Sequence, residues 1–158
     1  MPTLLTGAKI ASLTLGLISA NKQESGFSLD LTAKKIERID KAGALDFGGS
    51  EYSEASATLI TPEKKTSSDN YSWWKLEPGS YFIYFNEKLG IEKSSVILVV
   101  PHERMIRAGA SHAELLLDRL DENTRALLVI NVTGLEIKEN ARLSRAIVVV
   151  DEDDSGRA

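Results

Sequence analysis

The sequence predicts a mostly β protein, arranged as an antiparallel sandwich or barrel. Continuous runs of β-branched and apolar residues recur along the chain, and shorter alternating runs precede them. Clusters of proline, glycine, serine and aspartate separate the runs. Short strands divided by such turn signals are typical of antiparallel all-β domains. A chain of 158 residues has the length of one domain.

The first part of the chain contains two predicted strands and a loop. Residues 28–33 alternate apolar and polar side chains, which favours a half-buried strand, and residues 57–60 form a shorter candidate. Residues 1–20 lack the basic start of a signal peptide, so we expect a first strand or a short helix there. Residues 62–70 are polar and rich in turn formers, which predicts a loop.

A proline-glycine turn divides two further predicted strands. Residues 73–76 and 81–85 flank a segment that contains Pro78 and Gly79. Proline followed by glycine is the signature of a type II turn, because proline presets φ and glycine accepts a φ above zero. We therefore predict that the two strands form a hairpin.

Three continuous apolar runs predict strands that are buried on both faces. They occupy residues 95–100, 126–130 and 146–150 and are rich in valine, isoleucine and leucine. Residues 103–120 instead carry apolar side chains at helical spacing, which taken alone predicts a long amphipathic helix. Gly109 lies inside that segment and weakens the helical interpretation.

Composition restricts the classes of function. The formal net charge of −4 gives no basic surface for nucleic acid, and no run has the length of a membrane span. The absence of cysteine excludes disulfides and the thiolate zinc site of a zinc-dependent deaminase, and His102 and His112 are too few for a metal site. We expect a cytoplasmic protein with one domain over residues 1–150 and an acidic, flexible tail over residues 151–158.

Four segments resemble, in their order and spacing, motifs of the deoxyuridine triphosphatase (dUTPase) and dCTP deaminase superfamily, and of its archaeal members in particular. The Asp-Leu pair that begins at Asp30 resembles the first motif, and residues 43–47 resemble the short strand after it. Residues 76–87, LEPGSYFIYFNE, are similar to the segment before the active-site motif. Residues 141–149 are similar to the closing strand, without its glutamine.

The resemblance implies a fold, an assembly and a reaction. Members of the superfamily are distorted β-barrels or jelly rolls that assemble as trimers, with active sites between subunits. The dUTPase branch hydrolyses dUTP to dUMP and pyrophosphate with Mg²⁺, and the deaminase branch removes the cytosine amine without zinc. For this chain the resemblance implies a barrel with one short helix, a homotrimer and a deoxynucleoside triphosphate ligand. It also divides residues 103–120 into a short helix and a following strand.

The segment expected to carry the chemistry departs from the family pattern. The family places Arg-Ser-Ser at the start of a short helix, where N–H groups and hydroxyls hold phosphate. Here Glu103 and Arg104 stand at the serine positions, or Met105 and Ile106 if Arg104 is aligned with the family arginine. A carboxylate about 4 Å from a phosphate costs on the order of 4 kcal/mol per unit charge at an effective dielectric constant near 20. Alternatively, Glu103 is simply a favourable charge in the first turn of a helix.

Four residues are candidates for a site. Asp118 has the spacing from Gly109 of the family carboxylate that orients or deprotonates water. Arg104 or Arg107 would hold phosphate beside Mg²⁺, and Asp30 would have a structural or water-ordering role next to the substrate. The aromatic residue that selects deoxyribose and the glutamate of the deaminases are absent from the matching positions, and we predict no metal ligand among the side chains.

Two functions remain open from the sequence. In the first, the chain is a dUTPase-like protein of nucleotide metabolism whose activity is weakened or lost. In the second, it is an inactive trimeric paralogue with a structural, regulatory or nucleotide-sensing role. Ancestry favours nucleotide metabolism and the lost serines favour reduced turnover, and fold alone does not decide between them.

Overall fold

The computed structural model describes residues 1–92, 94–131 and 133–151 and shows a mostly β protein. The strands are β1 (Pro2–Leu4), β2 (Glu24–Ser25), β3 (Ser28–Lys41), β4 (Ser56–Leu59), β5 (Trp73–Leu76), β6 (Gly79–Phe85), β7 (Leu89–Gly90), β8 (Ser95–Pro101), β9 (Ala110–His112), β10 (Leu115–Leu117), β11 (Arg119–Leu120), β12 (Arg125–Ile130), β13 (Leu135–Lys138) and β14 (Arg142–Asp151). The helices are α1 (Gly7–Leu13), α2 (Ala20–Gln23) and α3 (Glu103–Arg107). Apart from Asp151, the predicted acidic tail lies outside the described residues.

One large sheet curls into a half-barrel around the core, which confirms the predicted fold class. Its strands follow the order β10-β8-β14-β3-β6-β12-β9, with β1 on β14 and with β2 and β4 on β3. Two small sheets, β11–β7 and β13–β5, complete the fold. Strand β3 pairs with β14 near its start and with β6 farther along. The fully buried core includes Leu31, Ile36, Ile83, Leu128 and Val148.

All seven strands predicted from the residue pattern form. They lie within or across β3, β4, β5, β6, β8, β12 and β14. The first twenty residues contain both a strand and a helix, where we expected one or the other, and residues 62–70 form the predicted loop. The described residues therefore contain three short helices, although the resemblance implied one. No helix in the described part of the chain is both long and apolar enough for a membrane span.

The segment 103–120 follows the family pattern and not the long helix. Helix α3 ends at Arg107, and Gly109 then adopts a φ of 98°, which a non-glycine side chain rarely tolerates. The chain continues into β9, whose Ala110 and His112 are buried where β9 pairs with β12. Tertiary pairing of a short strand thus overrides the apolar helical spacing of the same residues.

The predicted hairpin around Pro78 and Gly79 is wrong. Strands β5 and β6 form on either side of it, but β5 pairs with β13, whereas β6 pairs with β3 and β12. Gly79 has a φ of 150°, far from the type II turn, and is the first residue of β6. The Tyr81 hydroxyl donates to the Glu77 carbonyl at 2.6 Å and holds this corner between two sheets. A turn signal marks a change of direction but not the partner of the next strand.

Two other expectations also need correction. The apolar runs in β8 and β12 are not buried on both faces of the single chain, because Val96 is 44% exposed and Leu127 is 41% exposed. A continuous apolar run does not distinguish a strand that is buried on both faces from a strand whose outer face is exposed to solvent. Residues 43–47 form no extended strand; Ala44 makes only an isolated bridge with Ser53.

Candidate functional site

A buried carboxylate, Asp30, collects three nitrogen-bearing side chains from other parts of the chain. Arg142 Nη1 and His102 Nε2 each lie 3.3 Å from Asp30 Oδ2. Arg145 Nε lies 3.3 Å from Asp30 Oδ1. Asp30 and His102 are each 4% exposed, whereas both arginines keep part of their surface in solvent. We call these four residues the Asp30 cluster.

A β-bulge in β14 brings both arginines to the same carboxylate. Arg142 and Arg145 are three positions apart, so a regular strand would direct them to opposite faces of the sheet. The register of β14 against β3 shifts between Arg142 and Ser144, which inserts one extra residue. Leu143 and Ser144 are consequently buried in succession, and both guanidinium groups point towards Asp30.

The hydrogen bonds of His102 define its tautomer. His102 is the N-cap of α3, and its Nδ1 accepts from the backbone N–H of Arg104 at 3.0 Å. Because Nδ1 is an acceptor, the proton of the neutral ring lies on Nε2, which donates to Asp30. The contact of 3.4 Å between Arg145 Nη2 and His102 Nε2 then joins two donors and is no hydrogen bond. Burial lowers the pKa of His102, against the opposing effect of Asp30.

The exposed side of α3 carries an ion pair. Arg107 Nη2 lies 2.9 Å from Glu103 Oε1, and the two side chains are 79% and 61% exposed. The structure thus supports the interpretation of Glu103 as a helix-surface charge. Pairs of this kind four residues apart stabilise a helix by only about 0.2–0.5 kcal/mol. Arg104 is also exposed and lines a cavity with Met105 and Arg142.

Asp118 lies elsewhere on the chain. It is exposed at the bend between β10 and β11, where the pairing partner changes from β8 to β7. It lines shallow clefts with neighbours such as Ser94 and Arg119, and the cavity lined by Arg104 does not include it. Within one chain the structure therefore does not bring Asp118 together with Arg104, Arg107 or Asp30.

Comparison with known proteins agrees with this fold. No family model matches the chain. It is 31% identical over 121 residues to a probable deoxyuridine 5'-triphosphate nucleotidohydrolase of Methanosarcina mazei, covering 75% of this chain and 67% of that protein. The chain belongs to the dUTPase and dCTP deaminase superfamily. A probable deoxyuridine 5'-triphosphate nucleotidohydrolase of Methanococcoides burtonii is 25% identical over 156 residues, covering 92% of this chain and 87% of that protein.

A solved structure gives the same fold at lower sequence identity. The 2'-deoxycytidine 5'-triphosphate deaminase of Agrobacterium tumefaciens superposes with a TM-score of 0.64 at 14% identity, over 95% of this chain. This chain spans about half of the deaminase chain, 48% of its length. The structural similarity to the deaminase supports the dUTPase-like fold. The sequence similarity to the probable dUTPases identifies this chain as a dUTPase-like protein of nucleotide metabolism.

Three members of the Asp30 cluster were not predicted as site residues in this dUTPase-like chain. His102 was considered only as a metal ligand, and Arg142 only as part of the closing-strand motif. Arg145 was not considered, and its odd spacing from Arg142 would place the two side chains on opposite faces of a regular strand. The available signal was the order of motifs: an aspartate on an early strand and arginines on the closing strand of the same sheet.

The superfamily resemblance implies Mg²⁺, and the described side chains of one chain offer this ion no set of ligands. Among residues 1–92, 94–131 and 133–151, no three histidine, aspartate or glutamate side chains approach closely enough to hold a metal ion. Asp30 is already paired with two guanidinium groups, so its oxygens do not fit the role of cation ligands. We therefore assign no chemical step to the ion.

A second buried network supports β3 beside the cluster. Glu87, which is 0% exposed, accepts from the Gln23 amide at 2.7 Å, from the Thr32 hydroxyl at 2.6 Å and from the Thr32 N–H at 2.8 Å. Burial raises the pKa of the Glu87 carboxyl, and the hydrogen bonds from Thr32 and Gln23 oppose that rise. Thr32 lies opposite Arg142 in the sheet, so this network fixes the strand that carries Asp30.

Proposed function

We propose that this chain is a dUTPase-like protein that binds a deoxynucleoside triphosphate and hydrolyses it weakly or not at all. The Asp30 cluster carries the proposal. Its carboxylate is paired with two arginines and accepts from the neutral ring of His102, which caps α3. Both family serines are absent, so the helix start lacks the hydroxyl donors for a transition-state phosphate.

Charge near the cluster favours the binding of an anion. The two positive charges of Arg142 and Arg145 exceed the single negative charge of Asp30. Both side chains are partly exposed, 32% and 39% accessible. Arg104 and Arg107 stand on the adjacent helix, where they would hold phosphate groups. Local positive charge is what an anion requires in a chain of net charge −4.

Assembly into a homotrimer would bring Asp118 to this region from a second copy. Asp118 is exposed and distant from the cluster in its own chain, which agrees with a site that is completed between subunits. In such a site Asp118 would orient water, Mg²⁺ would accompany the triphosphate, and the protein would act in the cytoplasm. Light scattering after gel filtration tests the assembly, and a mass of one chain would contradict it.

Thermal shift and pyrophosphate release test binding and turnover separately. With dUTP at about 100 times its Kd, binding adds about 2.7 kcal/mol of stability and raises Tm. We expect that shift together with little or no pyrophosphate release from dUTP and Mg²⁺. No shift with dUTP, dCTP or dUMP would refute nucleotide binding. Efficient release that Asp118→Asn abolishes would instead establish an active dUTPase.

A further inference from the structure

The Gln23 side chain connects a surface segment to the core. Gln23 is the last residue of α2 and is 2% exposed. Its amide nitrogen donates to the Glu87 carboxylate at 2.7 Å and to the Asp30 backbone carbonyl at 2.9 Å. Its amide oxygen accepts from the backbone N–H groups of Ile18 and Ser19, each at 2.8 Å. Both hydrogens and both lone pairs of the amide are therefore used.

The largely exposed segment 18–23 depends on these bonds for its position. Ser19 is the N-cap of α2, but its side chain makes no capping hydrogen bond. A helix of four residues, such as α2, has little stability of its own. The buried Gln23 amide therefore anchors this segment against β3, next to Asp30.

The anchored segment presents a backbone carbonyl to Arg142. The Lys22 carbonyl accepts from Arg142 Nη1 at 3.1 Å. The same nitrogen donates to Asp30 Oδ2 at 3.3 Å, so both of its hydrogens are engaged. Within the part of the chain that the structure describes, Arg142 Nη2 and Nε make no hydrogen bond. These groups therefore stay available for an external acceptor.

Two acceptors on one nitrogen restrict the rotation of the Arg142 guanidinium. Arg142 shares Asp30 with Arg145 and His102, whereas the Lys22 carbonyl accepts from Arg142 alone of these three side chains. A guanidinium that is already fixed avoids the ordering cost that binding would otherwise incur. Release of the segment 18–23 would therefore loosen Arg142.

We propose that Gln23 is a positioning residue for Arg142: by holding the Lys22 carbonyl in place, it fixes a guanidinium whose charge favours anion binding. This inference rests on the proposed function and adds a residue to it. Gln23 acts at a distance, since it contacts Arg142 only through the backbone of its neighbour. Support of β3 alone would not require a carbonyl that is directed at Arg142.

Titration of the histidines by NMR reports on Arg142 without any ligand. The chain has two histidines, so only two imidazole signals are followed. The charged groups that act on His102 are Asp30, which raises its pKa, and Arg142, Arg145 and Arg104, which lower it. Gln23→Met keeps the length of the side chain but loses its four hydrogen bonds. Arg142 should then move into solvent, and the pKa of His102 should rise.

Two further variants separate positioning from loss of stability. Ile83→Val removes a fully buried methylene in β6, opposite Ile36, and should leave the His102 titration unchanged. Ala20→Gly combined with Asn21→Gly loosens α2 at exposed positions and leaves the core intact. The pKa of His102 should rise in this variant too. Circular dichroism confirms that each variant is folded.

Isothermal titration calorimetry with dUTP tests the consequence for binding. Gln23→Met should weaken dUTP binding about three- to tenfold, the factor that corresponds to ordering one long side chain, and Ile83→Val should not. The inference is overturned if His102 titrates at the same pH in Gln23→Met and in the glycine variant as in the unmodified chain, or if dUTP binds Gln23→Met as tightly. If the unmodified chain does not bind dUTP, the proposed function is refuted, and the His102 titration alone decides whether Gln23 positions Arg142.

Discussion

Arg145 and Asp30 face each other across β14 and β3, and the guanidinium Nε lies 3.3 Å from the carboxylate Oδ1. The two residues are 115 positions apart in the sequence. Their contact joins the first and last motifs of the superfamily within one sheet. It also leaves Asp30 occupied by its own chain, which is the basis for expecting weak hydrolysis.

Asp30→Asn should destabilise the fold strongly. An amide cannot neutralise Arg142 and Arg145, and its NH₂ would face a guanidinium. Removing one partner of a fully buried ion pair costs about 3–5 kcal/mol, and the loss here should be smaller because both arginine side chains are partly exposed. Urea denaturation at pH 7.5 measures the change. Glu136→Gln is the control, because its solvent-exposed ion pair with Lys65 should contribute little to stability. Equal effects of the two variants would show that the cluster is not a buried ion pair in solution.

Acid should destabilise the protein through its histidines. Burial lowers the pKa of both His102 and His112, so the unfolded chain takes up these protons first. The free energy of unfolding should therefore fall as pH decreases below about 6.5, the ordinary histidine value. His102→Asn keeps a residue that can cap α3 but removes one titrating group.

Denaturation curves between pH 5 and 8 give the slope for each protein. His102→Asn should have a shallower slope than the unmodified chain, and identical slopes would contradict the assigned role of His102. The raised pKa of Glu87 acts in the opposite direction, since the folded chain then binds its proton more readily than the unfolded chain does. Glu87 is present in both proteins, so its effect cancels in the comparison.

Glu87→Gln should be destabilising even though it removes a buried charge. The carboxylate accepts from three donors on Gln23 and Thr32, and a glutamine would turn its own NH₂ towards at least one of them. A buried donor without an acceptor costs about 1–3 kcal/mol. Thermal and urea unfolding measure the loss. Glu51→Gln, on the exposed 42–55 loop, should be neutral, and a neutral Glu87→Gln would indicate that the native carboxyl is protonated.

Asn140→Ala should destabilise more than Asn140→Gly. Both variants lose the hydrogen bond from Asn86 to the Asn140 side chain, but only alanine must hold a Cβ at a φ of 62°. The left-handed conformation costs a non-glycine residue about 1–2 kcal/mol. The difference in unfolding free energy between the two variants measures this cost less the greater unfolded-state entropy of glycine, about 0.4–1 kcal/mol. A glycine variant that is the less stable of the two would show that the turn relaxes to another conformation.

Local patterns were sufficient for the strands and for the start of α3. Alternation and β-branched runs located the seven predicted strands, because neighbouring side chains determine backbone preference and facing. Motif order gave the superfamily, which the relatives confirm. The loss of both phosphate-binding serines is visible in the sequence alone.

Pairing between distant segments accounts for what the sequence did not reveal. The proline-glycine pair at Pro78 and Gly79 reports only on the local backbone. The partner of β5 is β13, which lies about sixty positions away in the sequence. The Asp30 cluster depends on a bulge in β14, where one extra residue stands opposite β3. Residue spacing therefore located the strands and the motifs, but long-range strand pairing determined that His102, Arg142 and Arg145 meet at Asp30.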